Sequence, residues 1–311
     1  MIIFKRSHFI AWLAVALILI ALTACQSSPT PTPTIVIAPP TRTASTSSSM
    51  ASLAIPTPTV TPIIIPDLKG RALKVGSDTS YPPFESINDK KEVVGFDVDL
   101  VNEICKRLNC KATFVSADFD TLLNAVSNQI FDLSASGWTI TDERAKKVDF
   151  GLPYIQNTQM LLVRSDETRI KEPEDLKTAP YIVAVQFGTT SAATMKKFVA
   201  DPAKQVKEYP DIVAAVQALL NKQADVVVVY TFAAFDLIDQ NKGKVKVTGK
   251  QFGDDYLGIV FRKGDAELKT AFDAGLKIVY QDGTWSKLCD KWWKDTLPKP
   301  DCSGKNLPLA K

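Results

Sequence analysis

The chain has 311 residues, which allows about two domains of ordinary size. An apolar fraction of 45% and a charged fraction of 23% are those of a globular protein. The formal charge is only +3, and from Asp67 onward 34 basic residues balance 34 acidic ones, so no strong overall field favours nucleic acid.

Lys5 and Arg6 precede an apolar run over 9–22, FIAWLAVALILIAL. That run is short for a membrane span and suits the apolar core of a secretory signal. It stops at Leu22-Thr23-Ala24-Cys25, which resembles a bacterial lipobox. We therefore read 1–24 as a lipoprotein signal peptide and Cys25 as the lipidated residue; an ordinary signal or an uncleaved anchor is the alternative. Acyl chains on Cys25 would hold the protein on the outer face of the cell membrane. The rest of 25–66 is rich in Pro, Thr and Ser, with Arg42 its one charge. Such a stretch cannot bury a core and reads as a disordered stalk, open to O-glycosylation. Stretched out it reaches on the order of 100 Å.

Four cysteines follow the stalk: Cys105, Cys110, Cys289 and Cys302. In an oxidising compartment they would pair, and sequence alone allows three connectivities. Local pairing, Cys105–Cys110 and Cys289–Cys302, is the expectation. A metal site is the rival, but the only histidine is His8, inside the signal, and the cysteine spacing is not a zinc pattern. No metal and no cofactor is expected.

The folded part opens with a strand over 71–76 (RALKVG) and a loop over 77–85 (SDTSYPPFE), where Pro82 and Pro83 oppose regular structure. Helical spacing predicts a helix over 95–108, with Asp97 as a plausible N-cap. A strand over 111–116, a helix over 120–129 and a strand over 130–135 follow. This β-α-β-α-β order implies a parallel sheet with helices on its faces. Ligands of such sheets sit beyond the carboxyl ends of the strands. The loop at 77–85 and the run SASGWT at 134–139 both fall there.

The stretch over 134–150, SASGWTITDERAKKVDF, carries the clearest chemical signal. Small and hydroxyl residues end a strand, and a helix start then brings Arg144. Backbone N–H groups, hydroxyls and a fixed guanidinium gathered at one place suit a carboxylate. The plainer reading is a helix capped by Thr139 or Thr141, with Arg144 in solvent.

Near 153–158 the chain should leave this lobe. A strand over 160–164, a short helix opening at 174–176 and a strand over 181–185 come next. The turn 186–191 (QFGTTS) then brings N–H groups and hydroxyls to the start of a helix over 192–200. A helix over 211–221 precedes 224–229 (ADVVVV), which reads as a fully buried strand. Then come a helix over 232–241, strands over 244–248 and 255–262, and a helix over 265–282. Trp285, Trp292 and Trp293 lie on a last helix and read as core. The chain thus builds one α/β lobe, crosses to a second and returns. Two lobes joined by two strands can hinge.

At this point the residues resemble the family-3 extracellular solute-binding proteins of ABC transporters, which bind polar amino acids. The segments GSDTSYPPFE, GFDVDL, SASGWTITDER, VAVQFGTTS, ADVVVV and GIVFRKGD occur in that family's order, over about 73–294. The resemblance implies a type II periplasmic-binding-protein fold, two α/β lobes closing on ligand like a flytrap. Lobe 1 would comprise 67–157 and 250–311, and lobe 2 158–249. It also implies site roles. Arg144 would grip the ligand α-carboxylate, helped by Thr139 and by the backbone around Thr189 and Thr190, with Gln186 opening that turn. Ser136 and Gly137 would offer a carbonyl to the α-ammonium. Tyr81 and Phe119 would pack on the ligand side chain, and Asp78 would read its far end, although Asp78 also suits a plain Asx turn. The Cys105–Cys110 pair matches a disulfide of some members.

Two positions depart from the family. Its usual aspartate after the ADVVVV-type strand, the partner of the α-ammonium, is here Tyr230. Trp138 stands where an aliphatic residue is expected and hints at an altered pocket. Either Asp78 or another group takes over the charge, or the ligand lacks a free α-ammonium. The resemblance implies a monomeric, non-enzymatic, extracytoplasmic protein that delivers its ligand to a membrane permease. The alternatives are a cyclohexadienyl dehydratase-like enzyme, which would share this fold, and the ligand-sensing ectodomain partner of a receptor. Against the enzyme, the mature chain has no histidine and no G-x-S-x-G.

Overall fold

The computed structural model describes residues 65–293 and residue 302. The signal peptide, Cys25 and nearly all of the stalk lie outside the described residues. The strand β1 (Arg71–Ser77) is followed by three short strands, β2 (Ser80–Tyr81), β3 (Glu85–Ile87) and β4 (Val93–Val94). Then come α1 (Phe96–Leu108), β5 (Cys110–Ser116), α2 (Phe119–Ser127), β6 (Leu133–Ser134) and α3 (Asp142–Ala145). The long strand β7 (Val148–Arg164) leads to α4 (Asp175–Thr178), β8 (Val183–Gln186), α5 (Thr190–Phe198), α6 (Pro202–Gln205), β9 (Val206–Tyr209) and α7 (Ile212–Leu220). The chain closes with β10 (Val226–Tyr230), α8 (Thr231–Gln240), the long strand β11 (Val245–Arg262), α9 (Ala266–Gln281) and α10 (Thr284–Trp293).

Eight strands form one sheet in the order β5-β1-β6-β11-β7-β10-β8-β9. On one side β1 runs parallel to β5 and β6, and on the other β8 runs parallel to β9 and β10. Between them β7 and β11 pair antiparallel along most of their length. The predicted β-α-β-α-β order and parallel pairing therefore hold. The strands expected at 160–164, 244–248 and 255–262 are parts of these two long strands. Their pairing slips between Thr248 and Phe252 and again between Phe252 and Asp255. Gly249 and Gly253 stand in the left-handed region there, with φ of 72° and 75°. Local breaks in apolar pattern and glycines made one strand look like two.

Two expectations fail in the first segment. The loop at 77–85 contains a small hairpin, in which Ser80 pairs with Ser86 and Tyr81 with Glu85. Pro82 and Pro83 occupy its turn, where they interrupt no ladder. Asp97 is not the N-cap of α1. That position is Gly95, at φ 152°. A Cβ on Gly95 would lie 1.9 Å from the Phe84 carbonyl oxygen, so glycine is needed for the close approach. Asp97 sits inside the first turn and faces the interior.

Burial explains the rest. The valines of β10 are all buried, as the unbroken apolar run requires. Around Phe96 the rings of Phe84, Tyr154, Trp285 and Trp293 pack within 6.5 Å, centroid to centroid. Trp285 and Trp293 are core, as expected. Trp292 is only half-buried; its Nε1–H donates to Asp99 Oδ2 at 2.8 Å. Both disulfides join local partners, Cys105–Cys110 and Cys289–Cys302, with Cα separations of 4.6 and 5.6 Å.

Candidate functional site

The carboxyl ends of β1, β6, β8 and β10 converge on one cavity. Its wall includes Asp78, Tyr81, Phe119, Ser136, Gly137, Thr139, Arg144, Gln186, Thr189, Thr190 and Tyr230. Ser191, Ile212, Val228 and Val229 complete it. Of the residues expected at the site from sequence, Trp138 alone is missing from the wall.

Trp138 acts from behind. It is 1% exposed and stacks on Phe119, with centroids 4.1 Å apart and planes 20° from parallel. Its Nε1–H donates to Ser134 Oγ at 2.9 Å. The Arg144 guanidinium lies 4.8 Å from the Trp138 ring centroid and 5.7 Å from that of Phe119. An aromatic face is a site for a guanidinium plane, so Trp138 is a platform for Arg144 rather than part of the cavity wall.

Arg144 lies in α3, whose N-cap is Thr141: the Thr141 hydroxyl accepts from the Arg144 N–H at 3.2 Å. The side chain turns into the cavity. Its Nη1 donates to the Thr139 carbonyl at 2.9 Å and its Nη2 to the Gly188 carbonyl at 3.0 Å. Its nearest charges, Asp255 and Glu143, act on it at a distance, without a hydrogen bond. Burial lowers its pKa to about 10, which leaves it cationic at neutral pH.

Across from it, the Tyr230 hydroxyl contacts three oxygens. It shares hydrogen bonds with Thr139 Oγ1 and, at 2.9 Å, with Thr190 Oγ1, and it donates to Asp255 Oδ2 at 2.9 Å. A phenol has one donor and two acceptor sites. With its proton on Asp255 and two threonine hydroxyls beside it, Tyr230 Oη is saturated. Burial, then the charge of Asp255, raise its pKa.

Asp78 is buried and forms the Asx turn expected of it. Its Oδ1 accepts from the Ser80 N–H at 3.1 Å, an Asx turn, and from the Ser80 hydroxyl at 2.7 Å. Its Oδ2 accepts from Gln186 Nε2 at 2.6 Å. Thr189 caps α5 by accepting from the Ala192 N–H at 3.2 Å. The contacts Asp78–Gln186, Arg144–Gly188 and Thr139–Tyr230 all span the cavity.

The sequence profile of the bacterial extracellular solute-binding proteins, family 3, matches residues 73–295. The chain belongs to this family. Among relatives of this family-3 protein is the L-cystine-binding protein TcyJ of Escherichia coli, 31% identical over 73% of this chain and 84% of the other. A solved arginine-, lysine-, histidine-binding protein, ArtJ of Geobacillus stearothermophilus, is 30% identical with a TM-score of 0.70 and covers 78% of this chain and 100% of its own. An ancestral amino acid-binding protein, AncCDT-1, described as a precursor of cyclohexadienyl dehydratase, is 36% identical with a TM-score of 0.66, over 71% and 95%. The fold is the type II fold of these binding proteins. Among the described residues no helix is long and apolar enough to cross a membrane.

Three acids of this binding protein were not placed at the cavity from sequence, although Asp97 reads there as a helix cap. Asp255, on β11, anchors Tyr230. Its signal was the acidic pair Asp254-Asp255 after Gly253, at a predicted strand start. Glu85 and Asp97 lie just below the cavity, 0% and 1% exposed. The Ser136 hydroxyl donates to Glu85 Oε1 at 3.0 Å, and the Gly137 N–H donates to Asp97 Oδ2 at 2.9 Å. Two acids inside otherwise apolar segments were that signal.

Proposed function

We propose that this chain captures a polar amino acid, or a related carboxylate, in the cavity and delivers it unchanged to the permease of an ABC importer. The observation that carries this reading is Arg144: a cationic guanidinium on an aromatic platform, inside a cavity, without an ion-pair partner among the described residues. The ligand carboxylate binds there, with Thr139 and the start of α5 at Thr189 and Thr190 supplying hydroxyl and N–H donors. Ser136 and Gly137 lie beside it. Tyr81 and Phe119 flank the ligand side chain. Asp78 and Gln186 meet its far end, which favours a side chain with N–H donors. Because Tyr230 Oη is saturated, an α-ammonium at that wall meets the ring face and the field of Asp255.

The lobes run over 67–157 with 250–311, and over 158–249, with the slipped pairing of β7 and β11 between them as hinge. A non-catalytic role is supported by the relatives, which are named as binding proteins. The mature chain acts as a monomer, tethered outside the cell through Cys25; replacing Cys25 by Ala should release it into the medium. The test of the function is a thermal-shift screen of the purified protein against the twenty amino acids, opines and small dicarboxylates. Ligand at 100 times its Kd stabilises by about 2.7 kcal/mol. A rise in Tm with a carboxylate ligand, abolished by Arg144→Ala, is expected. No shift across the panel, or turnover of prephenate or arogenate, overturns the reading.

A further inference from the structure

Glu85 on β3 and Asp97 in α1 form a buried pair that the ligand cavity does not itself expose. One oxygen of each is engaged. Glu85 Oε1 accepts from Ser136; Asp97 Oδ2 accepts from the Gly137 N–H and, at 2.8 Å, from the Tyr154 hydroxyl. The other two, Glu85 Oε2 and Asp97 Oδ1, are buried and receive no donor from other described residues. The two side chains are neighbours: they hold the consecutive residues Ser136 and Gly137, and each shifts the titration of the other. The titratable groups that face the pair are Asp78, Tyr81 and Tyr154, and among the described residues neither acid has a salt bridge to Lys or Arg.

Two adjacent carboxylates without a cation, at this depth, repel each other and are poorly solvated. One proton between them converts the repulsion into a charge-assisted hydrogen bond. Asp97 accepts two hydrogen bonds from other residues and Glu85 one, so the charge rests on Asp97 and the proton on Glu85.

We propose that Glu85 is a carboxylic acid at neutral pH, donating to Asp97, and that this pair positions the binding cavity from below. Asp97 holds the Gly137 N–H. Glu85 holds the Ser136 hydroxyl, and Ser136 Oγ in turn accepts from the Asp78 N–H at 2.9 Å. Three wall residues thus hang on one proton. Burial followed by mutual repulsion pushes Glu85 well above the ordinary carboxylate range, and burial lifts Asp97 to about 6. For acids whose folded pKa is raised, the stabilisation is complete below the unfolded value near 4 and fades as pH rises through the folded value. The cavity floor therefore weakens as pH climbs past neutral.

The positioning role rests on the cavity being the ligand site; the shared proton does not, and the test needs no ligand. Glutamine at 85 keeps a donor towards Asp97 and an acceptor towards Ser136, and asparagine at 97 keeps the complementary set. The double amide sets two NH₂ groups face to face. In the full chain, Glu85→Gln and Asp97→Asn should each melt within a few degrees of wild type, and the double variant should lose far more than their sum. Asp97→Ala should speed exchange of the Gly137 amide by at least about tenfold, and Glu85→Gln by far less. At pH 7 a protonated-carboxyl infrared band of the wild type should vanish in Glu85→Gln. Between pH 6 and pH 9 the wild-type Tm should fall while that of Glu85→Gln stays flatter; the chain's only imidazole, His8, precedes Cys25. Additive amides, single amides as harmful as alanine, no such band, or parallel pH profiles would each overturn the proposal.

Discussion

At the scale of the residue, Arg144 shows binding and stability in opposition. Its charge is half-buried and has no ion pair among the described residues, and desolvation lowers its pKa. A cation whose folded pKa is depressed destabilises the fold at every pH below that value. Arg144→Met should therefore raise the Tm of the ligand-free protein by a few degrees while abolishing carboxylate binding by calorimetry. A lower Tm would mean that the guanidinium's bonds to Thr139 and Gly188 outweigh its desolvation. Tyr230 invites the converse change. Tyr230→Asp removes a saturated phenol and supplies a carboxylate beside Thr139. It should strengthen binding of free α-amino acids; unchanged or weaker affinity across an amino-acid panel would show that the ammonium is met elsewhere. Arg144 was legible as a guanidinium at a helix start, and Asp78 and Tyr230 through the family resemblance; all three line the cavity. Glu85, Asp97 and Asp255 were not legible as site residues. Their importance lies in what they touch across the fold, and Asp97 looked locally like an ordinary helix cap.

At the scale of the element, helices were read more closely than strands. The amphipathic spacing of α1, α7 and α9 placed their ends within one or two residues. The long strands β7 and β11 were each read as shorter pieces, since local pattern breaks at bulges while pairing continues across them. The edge strand β9, VKEY, is too short and too charged to announce itself. The disulfides act at this scale as well. Cys105 and Cys110 are 5 residues apart and join the end of α1 to the start of β5; Cys289 and Cys302 are 13 apart and tie α10 to the tail. Loop-closure entropy grows slowly with length, so removing the first bridge should cost about 2 kcal/mol and the second about 3 kcal/mol. Denaturant titration of the paired Cys→Ala variants checks both values; an inverted order would point to enthalpic effects outside that model.

At the scale of the molecule, the hydrogen bonds from Arg144 to Gly188, Gln186 to Asp78 and Tyr230 to Thr139 draw the two sides of the cavity together. All three are polar contacts that water replaces at small cost. In the proposed two-lobe reading they would hold a closed form weakly, and ligand contacts to both sides would supply the remaining preference. Small-angle scattering should therefore show a larger radius of gyration without ligand than with a saturating one from the thermal screen. Equal radii would show that the cavity is closed beforehand.

The order of strands and helices and the guanidinium at the head of a short helix follow from sequence alone, whereas the local pairing of the cysteines was one of three connectivities until the fold selected it. The first two depend on neighbours in the chain, through periodicity, capping or composition. Family membership was likewise readable from ordered motifs. Which groups surround Tyr230, why Trp138 lies behind the wall, and which two acids are buried together under the cavity were settled only by tertiary structure. Burial and proximity between residues far apart in the chain decide the charge of a carboxyl group or the free valence of a hydroxyl. No local pattern encodes either.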